Sequence, residues 1–394
     1  MGGGSTGSST AYHLALNGSK VILIDRGQVA SGMTSKSTAL VRTHYSNELV
    51  ARMALYSLRA LEDFSKIGTS GFVRNGMVIV ASESQRGALT VNLEMLRSVG
   101  VTTDLVERSE SERLFPELLL KEDEVVVREP NSGYADPVST ANSYASRARE
   151  LGATIILGKE VSRLLVESGA LAGLQLSDGT HIKCEKAILC TNVWTNKLLL
   201  QSGISGNERG SLVLPITQAA HPVVILKRPQ QYQGVRPSII DIPNKAYYKP
   251  EGQSLELGGS LDPELDKQEV DPENCPTEVP FEFLSFFSKV ISERVPKMKE
   301  GTMHSSYIGM YDITPDQHPI IDSLEGIGIR GAYCCVGLSG HGFKLCPALG
   351  RINSEMLSGV EARKGTFDWS RFSLGRFSAG HLLFSRYAEV GTIA

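Results

Sequence analysis

The chain has 394 residues, 41% of them hydrophobic, with 40 Lys and Arg against 43 Asp and Glu and a formal net charge of −3. That length exceeds what one hydrophobic core serves, roughly 250–300 residues, so two lobes are expected. A charge so near balance supplies no basic field for nucleic acid or an acidic membrane surface, and no apolar run approaches the ~18 residues of a membrane span. Six cysteines without C-x-x-C spacing and eight histidines without H-x-x-x-H spacing argue for reduced, mostly buried thiols and against a dedicated metal site. The N-terminus has neither the charged region nor the hydrophobic stretch of a secretion signal, so a cytoplasmic location is expected.

Gly2, Gly4 and Gly7 stand in the spacing G-x-G-x-x-G. A helix over 6–17, stopped by Asn17 and Gly18, follows, and then an aliphatic strand over 20–25 that ends in Asp25. The first glycine suits a tight turn, the second lets a pyrophosphate reach the backbone, and the third allows close packing of helix on sheet. Ser5 and Thr6 stand at the helix start, where unpaired N–H groups and the positive dipole end attract phosphate. Asp25 can accept hydrogen bonds from an unphosphorylated ribose, and Arg26 stands beside it. The order reads as a dinucleotide site. Only Met1 precedes the loop, so the central strand such a sheet normally has is missing; a clipped start is expected, which leaves an organellar matrix open as a location.

Residues 31–38 form a small polar loop whose hydroxyls, Thr34 and Ser35 among them, can wrap a cofactor. Apolar residues at helical spacing predict a helix over 47–67 capped by Ser46 and stopped by Gly68. Asn75-Gly76 predicts a hairpin between 72–73 and 77–80, where antiparallel sheet begins. Helical segments near 87–99, 111–114 and 138–151 follow, then strands at 153–157, 161–166, 173–176 and 186–192. Strands are expected at 212–216, 223–226, 246–248 and 254–257, a helix at 281–294, a small-residue strand at 331–337, and a final helix opening at Gly340 and running to about 357. The reading is an α/β chain: a Rossmann-like nucleotide domain of 1–70, 137–210 and 315–372, a second, mainly antiparallel-sheet substrate domain of 71–136 and 211–314, and a C-terminal tail of 373–394.

The glycine loop, Asp25, Arg42, Tyr134-Ala135-Asp136-Pro137, Thr314-Pro315-Asp316 and Gly337-Leu338-Ser339-Gly340-His341-Gly342-Phe343-Lys344 together resemble FAD-dependent oxidoreductases of the D-amino-acid oxidase superfamily, in the sarcosine and dimethylglycine oxidase/dehydrogenase branch. The resemblance covers nearly the whole chain and implies FAD as cofactor. Gly337, Gly340, His341, Gly342 and Phe343 would lie against the isoalloxazine ring, where a helix start stabilises the negative charge of reduced flavin. Arg42 and Lys344 match the cations that hold a substrate carboxylate, Tyr311 matches a tyrosine of the substrate pocket, and Val161 matches a position that meets adenine through its backbone. Thr191-Asn192 stands where Ala-Gly is usual near the cofactor, and Asn tolerates a left-handed turn.

Two departures bear on mechanism. Some relatives bind flavin covalently through a cysteine two positions before the tyrosine; here Gly309 stands there, so non-covalent FAD is expected. Aligning Ser254-Leu255-Glu256-Leu257-Gly258 puts Glu256 at the place of an oxygen-activating lysine, unless the register differs. A carboxylate cannot stabilise developing superoxide, so a dehydrogenase is expected rather than a fast oxidase, passing electrons to a protein, a quinone or dioxygen. The expected reaction is oxidation of a small secondary or tertiary amino acid by hydride transfer to flavin N5, giving an imine that water hydrolyses. The alternatives are a 2-hydroxy-acid or glycerol-phosphate dehydrogenase, for which no base stands out in the sequence, and a non-catalytic FAD-containing assembly factor or subunit. A hetero- or homo-oligomer is compatible with all three.

Overall fold

The computed structural model describes residues 1–205, 213–262, 264 and 269–383. The first helix, Ser5–Leu16, is rich in Ser, Thr, Gly and Ala and buried on most sides, because it packs between Pro137–Glu150 and Gly342–Leu357. Contact with the latter is close enough that a Cβ on Gly350 would come 2.2 Å from Ser9 Oγ, and Asn353 Nδ2 donates to Thr10 Oγ1 at 2.8 Å.

Strand Ile22–Asp25 pairs in parallel with Thr154–Leu157. Ala187–Leu189 pairs in parallel with Ala332–Val336, which runs antiparallel to Ile320–Ser323. Met1 and Gly2 join these two half-sheets where a central strand would run. The Met1 ammonium donates to Ile188 O at 2.9 Å, Met1 O accepts from Cys190 N at 2.9 Å, and Gly2 N donates to Ile24 O at 2.9 Å. Beyond them, Val161–Glu167, Ala170–Leu176 and His181–Lys183 form a meander turned at Ser168 and Gly169, both at positive φ.

Among the described residues the second lobe is built on an eight-stranded sheet in the order Thr302–Ile313, Thr217–Lys227, Leu255–Ser260, Ala246–Glu251, Ser238–Asp241, Met77–Ser82, Glu124–Glu129 and Asp104–Val106. Helix Phe281–Arg294 covers its outer face. There Arg294 is fully enclosed and bonds Asp241 through Nε (2.8 Å) and Glu124 through Nη1 (2.6 Å). Burying three charges is tolerable only because each is matched and hydrogen-bonded.

Several local expectations change. Asn75-Gly76 makes no hairpin: Val73 pairs with Tyr134, and Met77–Ser82 inserts between Ser238–Asp241 and Glu124–Glu129. The Asn75 amide donates to Arg236 O at 2.6 Å, which turns the chain across the sheet instead of back along it. The cap of helix Glu48–Glu62 is Asn47 and not Ser46, since Asn47 Oδ1 accepts from Leu49 N and Val50 N. The strand sought at 212–216 begins instead at Thr217; residue 212 and the 210/211 domain boundary lie outside the described residues. Residues 373–383 are packed on the fold through Arg376, whose guanidinium bonds both Asp316 oxygens, while 384–394 lie outside the described residues. No described helix is long and apolar enough to cross a membrane.

Candidate functional site

A cavity of about 820 Å3 runs from the glycine loop to the face of the large sheet. That is at the upper end of the roughly 300–1,000 Å3 of small-molecule sites. Each loop glycine has its own steric reason. Gly2 sits at φ +91°, a Cβ on Gly4 would come 2.9 Å from Thr34 Oγ1, and a Cβ on Gly7 would lie 1.8 Å from Gly2 O. The third glycine therefore closes the loop on itself. Asp25 lines the cavity while tying the loop down, with Oδ2 accepting from Gly3 N at 2.6 Å and Oδ1 from Gly27 N at 2.7 Å.

Three segments meet under the opposite wall. Asp312 accepts from Gly337 N (2.6 Å) and from Asn192 Nδ2 (2.9 Å), so the end of strand Thr302–Ile313 is fastened to the second glycine turn and to the turn after Ala187–Leu189. Burial pushes the Asp312 carboxyl up to about 7. Asn192 adopts φ +48°, the left-handed conformation expected of it. Gly340 is at φ +79°, and a Cβ there would stand 3.0 Å from the Tyr311 ring, so only glycine lets the turn pass over that ring.

At the sheet end, His221 and Tyr311 line the cavity and stack with ring centroids 4.2 Å apart. His221 Nε2 lies 3.0 Å from Tyr247 Oη. Burial lowers the imidazole to about 4, so it is neutral near pH 7. The sequence reading did not find this pair. Lys344 lines the cavity, and its ammonium donates to Gly340 O at 3.2 Å. Burial first, and then the charge of neighbouring Arg42, lower its pKa to about 7.

Of the residues expected at the site, Gly2, Gly4, Ser5, Thr6, Gly7, Asp25, Arg26, Thr34, Val161, Thr191, Asn192, Tyr311, Gly340, Gly342, Phe343 and Lys344 line this one cavity. Ser35, Arg42, Gly337 and His341 do not. Ser35 is exposed and turns its hydroxyl to Gly32 O. Arg42 is buried behind the wall, with its guanidinium 4.1 Å over the Tyr45 ring and donating to His44 O, so it acts on the cavity through its charge. Gly337 is occupied with Asp312, and His341 packs edge-on against Tyr45.

Glu256 is also corrected. A Cβ on Gly259 would lie 3.1 Å from His221 Nε2, whereas one on Gly258 would strike the Phe287 ring. Alternation therefore puts Leu257 and Gly259 on the His221 face and Glu256 on the far face under helix Phe281–Arg294. There Glu256 is buried 3.7 Å from Arg228 Nε, and burial raises it to about 7.

Residues 1–356 match the family described as "FAD dependent oxidoreductase". The chain belongs to that family. Human mitochondrial sarcosine dehydrogenase is 25% identical over 358 residues, 88% of this chain, which spans only 38% of that relative's length. Monomeric sarcosine oxidase of Bacillus sp. (strain B-0618) is 24% identical, with 95% of each chain covered. Among solved structures, L-proline dehydrogenase from P. horikoshii superposes with a TM-score of 0.86 at 25% identity, covering 97% of each chain. The cofactor of this family is FAD, and the cavity fits it. The glycine loop and the first turn of Ser5–Leu16 form a phosphate cradle, and Trp194 Nε1 and Asn192 Oδ1 are buried in the wall without protein partners. At the place of the covalent cysteine Gly309 offers no nucleophile.

Proposed function

We propose that this FAD-dependent oxidoreductase oxidises a small secondary or tertiary amino acid at a C–H bond next to nitrogen. The observation that carries the reading is the polarity of the cavity. Lys344, with Arg42 behind it, makes one part positive, while His221 and Tyr311, with Tyr247 behind the imidazole, make a neutral aromatic wall. Two cations driven together at a buried place favour an anion between or beside them, and a carboxylate satisfies Lys344 with a charge-assisted hydrogen bond. A His221 kept neutral puts no positive charge at the amine, so the nitrogen can sit there unprotonated. Burial and the nearby cations lower the amine's own proton affinity, so no strong base is required.

Bound FAD supplies the hydride acceptor at N5. The residues around it orient and exclude: Lys344 fixes the carboxylate, Tyr311 and His221 shape the wall beside Gly340, and Tyr247 holds the imidazole edge. Fixing the C–H bond at the acceptor is worth a large part of the rate enhancement. Strand Leu255–Ser260 turns Leu257 and Gly259 rather than a cation toward the His221 side, and this supports a dehydrogenase using an acceptor other than dioxygen.

His221 also favours a second reading, since it is a base that the oxidation of a 2-hydroxy acid would need. Anaerobic mixing with matched pairs, proline or sarcosine against lactate or glycolate, separates the two. Bleaching of the flavin band by the amino acids alone supports the first reading, and bleaching by the hydroxy acids alone replaces it. A flavin that no member of either class reduces would indicate a non-catalytic flavoprotein.

A further inference from the structure

The substrate lobe sends a short segment back across the nucleotide end of the cavity. Val270 N donates to Gln218 O at 2.8 Å and Glu269 bridges to Ala219, so the segment is anchored on strand Thr217–Lys227, which also carries His221. Asp271 then sets a tight turn, with Oδ1 accepting from Glu273 N (3.0 Å) and Oδ2 from Asn274 Nδ2 (2.5 Å). The turn holds Pro272 against the cavity and aims Glu273 at two cations of the other lobe: Oε1 accepts from Arg26 Nη1 at 3.3 Å and from Lys197 Nζ at 2.8 Å. Arg26 follows Asp25 directly and lies 4.2 Å over the Trp194 ring, whose buried Nε1 has no protein partner.

Because Asp25 ends the first strand after the phosphate loop and Arg26 follows it, this is the ribose and adenine end of the site. We propose that residues 269–274 are a strap that retains the adenosine half of FAD, fastened by the double ion pair of Glu273 with Arg26 and Lys197. To let the adenosine half out, the strap must release both cations and uncover the Arg26–Trp194 stack. Each pair is solvent-exposed and weak alone, but opening breaks both at once.

Flavin release from the FAD-loaded chain, followed by the rise in fluorescence on dilution, tests this. Glu273→Gln should release FAD about three- to tenfold faster at low salt. Wild-type release should accelerate between about 50 and 500 mM NaCl, and that of the variant much less, because exposed pairs are screened. Lys197→Gln, a change at an exposed helix position, should shift release in the same direction by less, and it carries the test if Glu273→Gln does not fold. FMN, which lacks adenosine, should bind wild type and variants with equal affinity. Wild-type FAD release and salt dependence in both variants, or equal weakening of FMN and FAD, would overturn the strap. The readout is release and not turnover, so a chain that holds FAD but oxidises no amine would refute the proposed reaction and leave the strap standing.

Discussion

His221 stacks on Tyr311 at an interplanar angle of 24°, while its Nε2 meets Tyr247 Oη at 3.0 Å. One imidazole is thus held at the cavity wall by a ring from the adjacent strand, Thr302–Ile313, and a hydroxyl from the next but one, Ala246–Glu251. His221→Ala should lower kcat/KM for the amino acid about 100-fold with FAD still bound, because the wall that orients the C–H bond is lost. Tyr247→Phe keeps the ring but removes the hydroxyl, so its loss should be smaller and fall mainly on kcat. Steady-state kinetics on both variants, with flavin content from absorbance, checks this; two variants at wild-type kcat/KM would remove the pair from the reaction.

Lys344 should give carboxylate binding a pH dependence. Its pKa in the free protein is about 7, so the ammonium is charged below that value and neutral above it. A competitive carboxylate such as acetate should bind progressively more weakly as pH rises through 7. Lys344→Met should raise KM about 10–100-fold, the worth of one charge-assisted hydrogen bond, and abolish this pH dependence. An unchanged profile in the variant would show that another group holds the anion.

Acid should unfold the protein early, through its buried histidines. His13, His221 and His318 are lowered to about 4 and His44 to about 3, all chiefly by burial. Unfolded histidines titrate near 6.5, so their stability contribution is complete above that pH and is lost as pH falls toward 4, where only the unfolded chain takes up protons. Tm should therefore drop steeply between pH 6.5 and 4, with His13→Gln flattening the slope. A flat Tm over that range would contradict the burial of these rings.

Glu256 should be silent in the reaction with dioxygen. It lies under Phe281–Arg294 beside Arg228, on the face away from His221. Reoxidation of the reduced protein by air should proceed at the same rate in wild type and Glu256→Gln. A marked acceleration in the variant would return Glu256 to the flavin's side.

What the sequence made legible was local. Gly2, Gly4, Gly7 and Asp25 carry their meaning in spacing, because a loop of six residues has few ways to close around phosphate, whereas the Gly337–Lys344 run was legible only through its resemblance to the family. His221 sits alone in an apolar run between Ala220 and Pro222. Its partner Tyr247 reaches it only through the pairing of three strands, although alternation with Val223 and Ile225 marks it as facing one side. Glu256 failed on the same point, since a register error of one residue moves a side chain to the other face. Arg42 was expected to reach the substrate, but its long side chain folds back onto Tyr45, an orientation no motif encodes. The Asn75-Gly76 signal was overridden by the bond from the Asn75 side chain to Arg236 O.

The most direct test of the account is the visible spectrum of the FAD-loaded protein under anaerobic conditions, before and after adding proline, sarcosine or dimethylglycine. Loss of the oxidised flavin band with at least one of them, slowed in His221→Ala and requiring far more substrate in Lys344→Met, is the predicted result. A fully loaded protein whose band stays unchanged with every secondary and tertiary amino acid would contradict it.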